Sequence, residues 1–215
     1  MGSRDQWFRR TSWSDEDQLE FERRLTRARP RSRPQYLRIQ ATHLAGTGDA
    51  RLLQAAIGLA DRVLSEYPDD LFVAWVHELR ADAHERLGEL ALAVDSYRQA
   101  VNEERRRPNV RSNAWIGFGW LVISHQMDGL YCEAEALLEE FATELPFPAS
   151  RYRFHAIRAI IAAHRGDSIQ AKAEAELALS ASAATYSGFR YHPDIGLVPA
   201  ALDEIRLRLA ALVRG

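Results

Sequence analysis

Residues Ala81–Val101 read ADAHERLGELALAVDSYRQAV. Small residues stand at Ala81, Ala93 and Ala100, with Tyr97 between the last two. A solitary amphipathic helix needs an apolar stripe but no small residues at fixed distances. Small side chains let two helix backbones approach closely, and Tyr97 is expected to fill the groove beside them.

The same spacing recurs along the chain. Ala81 has counterparts in Ala41, Gly119 and Ala159, at separations of 40, 38 and 40 residues. The triplet Ala93/Tyr97/Ala100 recurs as Ala56/Ala60/Val63, Ala134/Leu138/Phe141 and Ala171/Ala175/Ala178, always with four-then-three spacing. From the first small residue to its triplet the gap alternates 15, 12, 15, 12. The first and third repeats are therefore expected to carry about three extra residues between their helices. Prolines follow the triplets at Pro68, Pro108 and Pro146. Strand signals are nearly absent, since two-residue alternation is nowhere sustained.

This pattern resembles the tetratricopeptide (TPR) repeat, a pair of antiparallel helices carrying W-x2-L-G-x2-Y, then A-x3-F, then P. The third repeat is closest, with Trp115, Phe118, Gly119 and Val122, then Ala134, Leu138 and Pro146. The second has His77, Arg80, Ala81 and His84, then Ala93 and Tyr97. The period is nearer 39 than the 34 of the family. The resemblance spans residues 34–180 and implies an all-α, right-handed TPR-like α-solenoid of four helix pairs, about ten helices in one domain over 1–215.

A single repeat cannot bury enough surface to stand alone, so both ends need caps. Residues 14–33 supply the first: Ser14 and Asp17 form a capping box, Phe21, Leu25 and Ala28 share a face, and Pro34 begins the next helix. Residues 199–214 supply the second, opened by Pro199 and striped by Leu202, Ile205, Leu209 and Leu212. Residues 181–198 are expected to be an irregular loop of defined shape. That loop, SAATYSGFRYHPDIGLV, the early QWFRRTSW and the segment QYLRIQA look similar to parts of uncharacterised bacterial TPR-like proteins. That resemblance implies no activity. Both apolar segments are expected to shield edges of the array, with a recognition role for the loop as the alternative.

Apolar residues make up 47% and charged residues 27%, ordinary for a folded protein. The net charge of −2 does not draw the whole molecule to nucleic acid or anionic membrane. One cysteine, Cys132, forbids an internal disulfide and is read as a buried or inert thiol. The opening residues lack a signal-peptide core, and no run of about 18 apolar residues could span a bilayer. The expected location is the cytoplasm. Of 28 basic residues only Lys172 is lysine, a bias that points to a GC-rich bacterial genome.

Charge is uneven. Residues 1–40 hold ten Arg against six Asp/Glu, and residues 60–104 hold eleven Asp/Glu against four Arg. The second stretch reads as a solvated surface or as an acidic face offered to a basic partner.

No catalytic constellation stands out. His77-Glu78 leads to His84, not to a histidine four residues on, so it is no zincin motif. His77, His84 and His155 fill slots where side chains pack. His192, beside Asp194 in the loop, is the one histidine with a claim to function, together with neighbouring Tyr191. GFGW at Gly117–Trp120 lies in a helix register, and ERRRPNVR at Glu104–Arg111 is tempered by Glu103 and Glu104. No cofactor, metal or nucleic-acid partner is expected.

The remaining candidate is the concave groove that first helices of such repeats line. Its expected residues are Gln35, Arg38 and Thr42, then Trp75, Glu78, Asp82 and Glu85, then Asn113, Ile116 and Trp120, then Arg153 and Ile160. Glu78, Asp82 and Glu85 stack on one helical face with Trp75 beside them. Glu78 and Asp82 are expected to be exposed, and the repulsion among the acids is offset by Arg38 and Arg86 or by a basic partner. The slots used by TPR proteins that clamp chaperone tails hold Arg38, Thr42, Leu79, Asn113 and Gly117, which do not match the Lys/Asn/Arg set of that clamp. The reading is a non-enzymatic protein- or peptide-binding module. Two uses stay open, an immunity-type binder that neutralises a toxin partner and a general adaptor or regulatory scaffold, with an enzyme built on the His192 loop a distant third. The groove and the 186–198 loop are both candidate binding surfaces, and the oligomeric state is open.

Overall fold

Each of the four recurrent small residues is followed, seven positions on, by a backbone turn in the left-handed region. The turns are at Gly48 (φ 76°), Gly88 (φ 77°), Gln126 (φ 51°) and Gly166 (φ 78°). Glycine takes this conformation without a Cβ clash, whereas Gln126 carries a side chain there at a steric cost. These turns divide the helices of a computed structural model that describes residues 6–141, 145–199 and 204–214. Among the described residues there are ten α-helices and no strand. They are α1 (Asp15–Arg27), α2 (Arg33–Ala45), α3 (Ala50–Glu66), α4 (Val73–Arg86), α5 (Leu90–Arg106), α6 (Ala114–Ser124), α7 (Tyr131–Phe141), α8 (Pro148–His164), α9 (Ser168–Ser182) and α10 (Glu204–Arg214). None is long and apolar enough to cross a membrane.

The expected extra residues are spent differently in the two long repeats. In the third they form a 3-10 turn, Asp128–Leu130, between α6 and α7. In the first they join the helix: Asp49 accepts from the N–H groups of Arg51 and Leu52, so α3 starts at Ala50, directly after the Gly48 turn. A good N-cap at the turn makes helix the cheaper conformation for the added turn of chain.

The chain packs as two compact units, Met1–Ala114 and Trp115–Gly215. In the first, α2 packs on α3, α3 on α4 and α4 on α5, and α2 also touches α4. Ala41, Ala56, Ala60, Val63, Ala81, Ala93, Tyr97 and Ala100 are all buried. α1 begins with the expected capping box, in which Asp17 N–H donates to Ser14 Oγ and Ser14 N–H to Asp17 Oδ2. Asp17 also accepts from the Ser12 hydroxyl and the Arg10 guanidinium. The Ser12 bond foremost, with those of Ser14 and Arg10, holds its carboxyl below the ordinary range against the effect of burial. The early aromatic segment covers the core as expected: Phe8 is buried, and Trp7 and Trp13 pack against Phe21. The buried Gln40 amide fastens it, accepting from Arg10 N–H (3.1 Å) and donating to Arg10 C=O (2.8 Å). α2 starts at Arg33, one residue before the expected Pro34.

In the second unit α7 packs on α8, α8 on α9, and α10 on both α8 and α9. Trp115 of α6 stacks on Phe141 of α7, and Gly119 brings α6 against Ile157 of α8. Ala134, Leu138, Phe141, Ala159, Ala171, Ala175 and Ala178 are buried. α10 caps this unit through buried Ile205 and Leu209, while Leu202 lies outside the described residues and Pro199 precedes the described helix. From Ala183 to Pro199 the chain is irregular, as expected. Phe189 stacks on Phe147 (centroids 5.2 Å), and Ala149 N–H at the start of α8 donates to the Gly196 carbonyl (2.8 Å). Gly196 has φ 68°, and a Cβ there would run into the Phe147 ring.

Candidate functional site

Helix α4 buries Val73, Ala74, Val76, Ala81, Ala83 and His84 against its neighbours. The 3.6-residue period then turns Trp75, Glu78, Asp82 and Glu85 to another face. The first three line a cleft of about 560 Å³ within the Met1–Ala114 unit, opposite Arg38 and Thr42 of α2, with Arg86 at one end. Glu85 continues the stripe, half-buried, beyond the cleft lining.

Trp75 is 44% exposed. Its indole N–H donates to the Arg111 carbonyl at 2.8 Å, and its ring rests against Phe72 with centroids 5.4 Å apart. The ring is therefore anchored at its polar edge while part of its surface stays open. Arg38 stands over the Phe72 ring, 3.9 Å from the centroid, and 3.5 Å from Asp70. Burial pushes its pKa down and Asp70 opposes the shift. Arg86 donates to the Ala45 carbonyl at 2.5 Å, at the C-terminal end of α2, where the helix dipole favours a cation.

The acidic stripe departs from expectation in two respects. Glu78 is half-buried, not exposed, in a turn of α4 that is half-buried from His77 to Arg80. Asp82 is exposed, yet it accepts from the hydroxyl of buried Tyr97 at 2.5 Å. Burial foremost, then Asp82, with Glu85 and Glu78 adding their fields, pushes the Tyr97 pKa well above its ordinary value. All three carboxylates thus act on one phenol, and none of them is without an electrostatic partner in the chain.

The other expected groove residues fall in three places. Asn113 is exposed in the turn before α6, in the left-handed region (φ 74°), which asparagine tolerates better than most residues. Its N–H donates to Glu104, so its evident role is conformational. Trp120 is half-buried against Tyr152, and Arg153 lies over its ring, 5.3 Å from the centroid. Ile116 and Ile160 are buried, not groove-lining. Tyr191 (80% exposed) and His192 sit on the loop after α9, where the His192 carbonyl accepts from Ser187 Oγ at 2.8 Å. Among the described residues no group of His, Cys, Asp and Glu is arranged to hold a metal ion. Cys132 is exposed, not buried.

The basic stretch Glu104–Arg111 is largely spent on the fold. Glu104 is fully buried, and its Oε1 accepts from Ser112 N–H (2.6 Å), Ser112 Oγ (2.7 Å), Asn113 N–H (2.8 Å) and Ala114 N–H (3.3 Å). It caps the start of α6 from eight to ten residues upstream, a contact that no local capping pattern announces. Arg106 pairs with Glu103, and Arg107 donates to the Asp70 carbonyl. The packing histidines are partnered or buried: His84 meets Glu89 (2.6 Å) and His155 meets Glu174 (2.7 Å). Burial, reinforced by Arg80, lowers His77 to about 4.

No family model, curated protein or solved structure matches the chain.

Proposed function

We propose that this chain is a protein-binding module built of TPR-like helix pairs, and that it holds a basic protein or peptide segment in the α2–α4 cleft. One observation carries the reading. Trp75 stands partly open on the same helical face as three carboxylates, two of which, Glu78 and Asp82, line a cleft with Arg38 and Arg86. Tryptophan is prominent among interface hot spots, and clustered carboxylates steer a cationic partner. Neutralising a toxic partner and serving as a general adaptor would both use this cleft. A partner whose own activity is blocked on binding identifies the first use.

The test is surface plasmon resonance with the partner recovered by affinity capture, at two salt concentrations, on the wild type and on Glu78→Gln/Glu85→Gln. Opposite charges make the wild-type association rate fall with salt, and the double variant should lose much of that dependence. Unchanged kinetics in the variant would move the binding site elsewhere, with the aromatic loop after α9 next to be tested.

A further inference from the structure

We infer that α9 is a self-association surface, through which two copies of this chain pair antiparallel about a twofold axis. The surface lies within the Trp115–Gly215 unit and shares no residue with the α2–α4 cleft, so it stands independently of the function proposed above.

Three observations converge. The first is an inverted helix. The side chains that α9 buries are those of Ala171, Ala175 and Ala178, while the larger Ile169 and Leu177 face outward, 84% and 50% exposed. Ile169, Ala173 and Leu177 follow one another at offsets of four and form one exposed stripe. Contiguous exposed apolar surface marks sites of interaction, whereas single exposed side chains do not.

The second is the groove beside the stripe. A cleft of about 580 Å³ runs between α9 and α10, lined by Ile169, Ala173, Ala211 and Leu212, with Lys172 and Glu176 on its wall. Leu207, one turn before Ala211 on α10, is exposed and extends the apolar surface.

The third identifies the occupant. Lys172 and Glu176 are exposed, and among the described residues neither has a hydrogen bond or ion pair within the chain. Lysine four residues before glutamate is the weaker order for a pair within one helix. Across an antiparallel twofold level with Glu174 the two become reciprocal. Lys172 faces Glu176 of the second copy, and Glu176 faces Lys172 of the second copy, on one side of the seam. The same axis brings Ile169 within about 3 Å, measured along the helix, of Leu177 of the second copy. It also sets the small Ala173 near the centre, where the helices can approach. One charge of each sign, a helical turn apart, is a self-complementary set. A partner of a single charge sign would leave one of the two opposed by its like.

An interface of one helix face and one groove is smaller than the standard one of about 1,600 Å², so the expected Kd is about 1–100 μM. Sedimentation velocity of the full chain from about 1 to 500 μM measures it. Ile169→Glu should abolish the dimer over this range, with its circular dichroism melt unchanged because the side chain is already in water. Lys172→Glu and Glu176→Lys each set two like-charge pairs across the twofold and should weaken the dimer by about tenfold or more. Mixed one to one, the two variants regain both opposite-charge pairs in the heterodimer, which should form about as tightly as the wild-type dimer. Recovery on mixing requires that positions 172 and 176 meet across the interface. A wild type monomeric to about 500 μM, a dimer indifferent to Ile169→Glu, or a mixture no tighter than its components overturns the inference.

Discussion

Gly119→Ala tests whether the recurrent small residues set the separation of the helices. A Cβ on Gly119 would stand 2.8 Å from Ile157 Cδ1 and 3.4 Å from its Cγ2. Unstrained carbon–carbon contact is about 3.5–4.0 Å, so the new methyl would overlap Cδ1 by about 1 Å. Cδ1 ends its side chain, but Ile157 is 0% exposed and has no solvent to turn into. Either α6 and α8 part or Ile157 leaves its rotamer, at a cost of about 1–3 kcal/mol. Opposing this, alanine in a helix interior is favoured over glycine by about 0.8–1.0 kcal/mol. The net expectation is a loss of about 1 kcal/mol, whereas helix propensity alone predicts a gain of the same size. The sign decides.

A double-mutant cycle isolates the cause. Ile157→Val removes Cδ1 and in the wild type should cost about 0.5–1.5 kcal/mol. In the Gly119→Ala background it also removes the clash, so its cost should vanish or reverse, a coupling of about 1 kcal/mol or more. Urea unfolding of the four proteins, followed by circular dichroism, measures this. The two units can unfold separately, so the comparison is made on the transition whose midpoint moves. A Gly119→Ala protein more stable than the wild type, or an Ile157→Val cost equal in both backgrounds, would refute the close approach of α6 and α8.

Glu104→Ala leaves the buried Ser112 and Ala114 N–H groups without their acceptor and should cost about 3–5 kcal/mol in urea unfolding, while Glu104→Gln should recover about half of it through a neutral acceptor. A loss under about 1 kcal/mol for the alanine variant would mean those donors find other partners. His77 titrates at about 4 in the folded chain, below its ordinary 6.5, so the unfolded chain binds the proton first as pH falls. The stability His77 contributes is whole above about pH 6.5 and is lost progressively toward about pH 4. His77→Gln should flatten the fall in the urea midpoint between pH 7 and pH 5, and an unaltered slope would assign that fall to other groups.

The all-helical class was legible because it rests on periodicity, and the recurrent small residues Ala41, Ala81, Gly119 and Ala159 are all buried. The destination of the extra residues was not legible in the same way. Three added residues lengthen a helix where Asp49 caps it and form a 3-10 turn where Asp128–Leu130 intervenes, and the count alone does not distinguish these outcomes. Glu104 misleads for a related reason. Within ERRRPNVR it reads as one charge among several on a solvated turn, but the turn folds back and delivers Ser112, Asn113 and Ala114 to its carboxylate.

The α4 stripe separates what spacing reveals from what it conceals. Offsets of three and four put Trp75, Glu78 and Asp82 on one face, and the structure gathers them around one cleft with Arg38. Spacing along α4 carries no information about the partner helix, and it is α5 that supplies Tyr97 to Asp82. That bond changes how the site must be probed. Reversing the charge at Asp82 would strip a buried phenol of its acceptor and loosen the α4/α5 pair, so lost binding in such a variant would report the hairpin as much as the cleft. Neutralising Glu78 and Glu85 together leaves the phenol's bond to Asp82 in place and removes two of the three carboxylates. With the fold of that variant shown intact by its urea midpoint, a fall in its association rate reports the charge of the stripe.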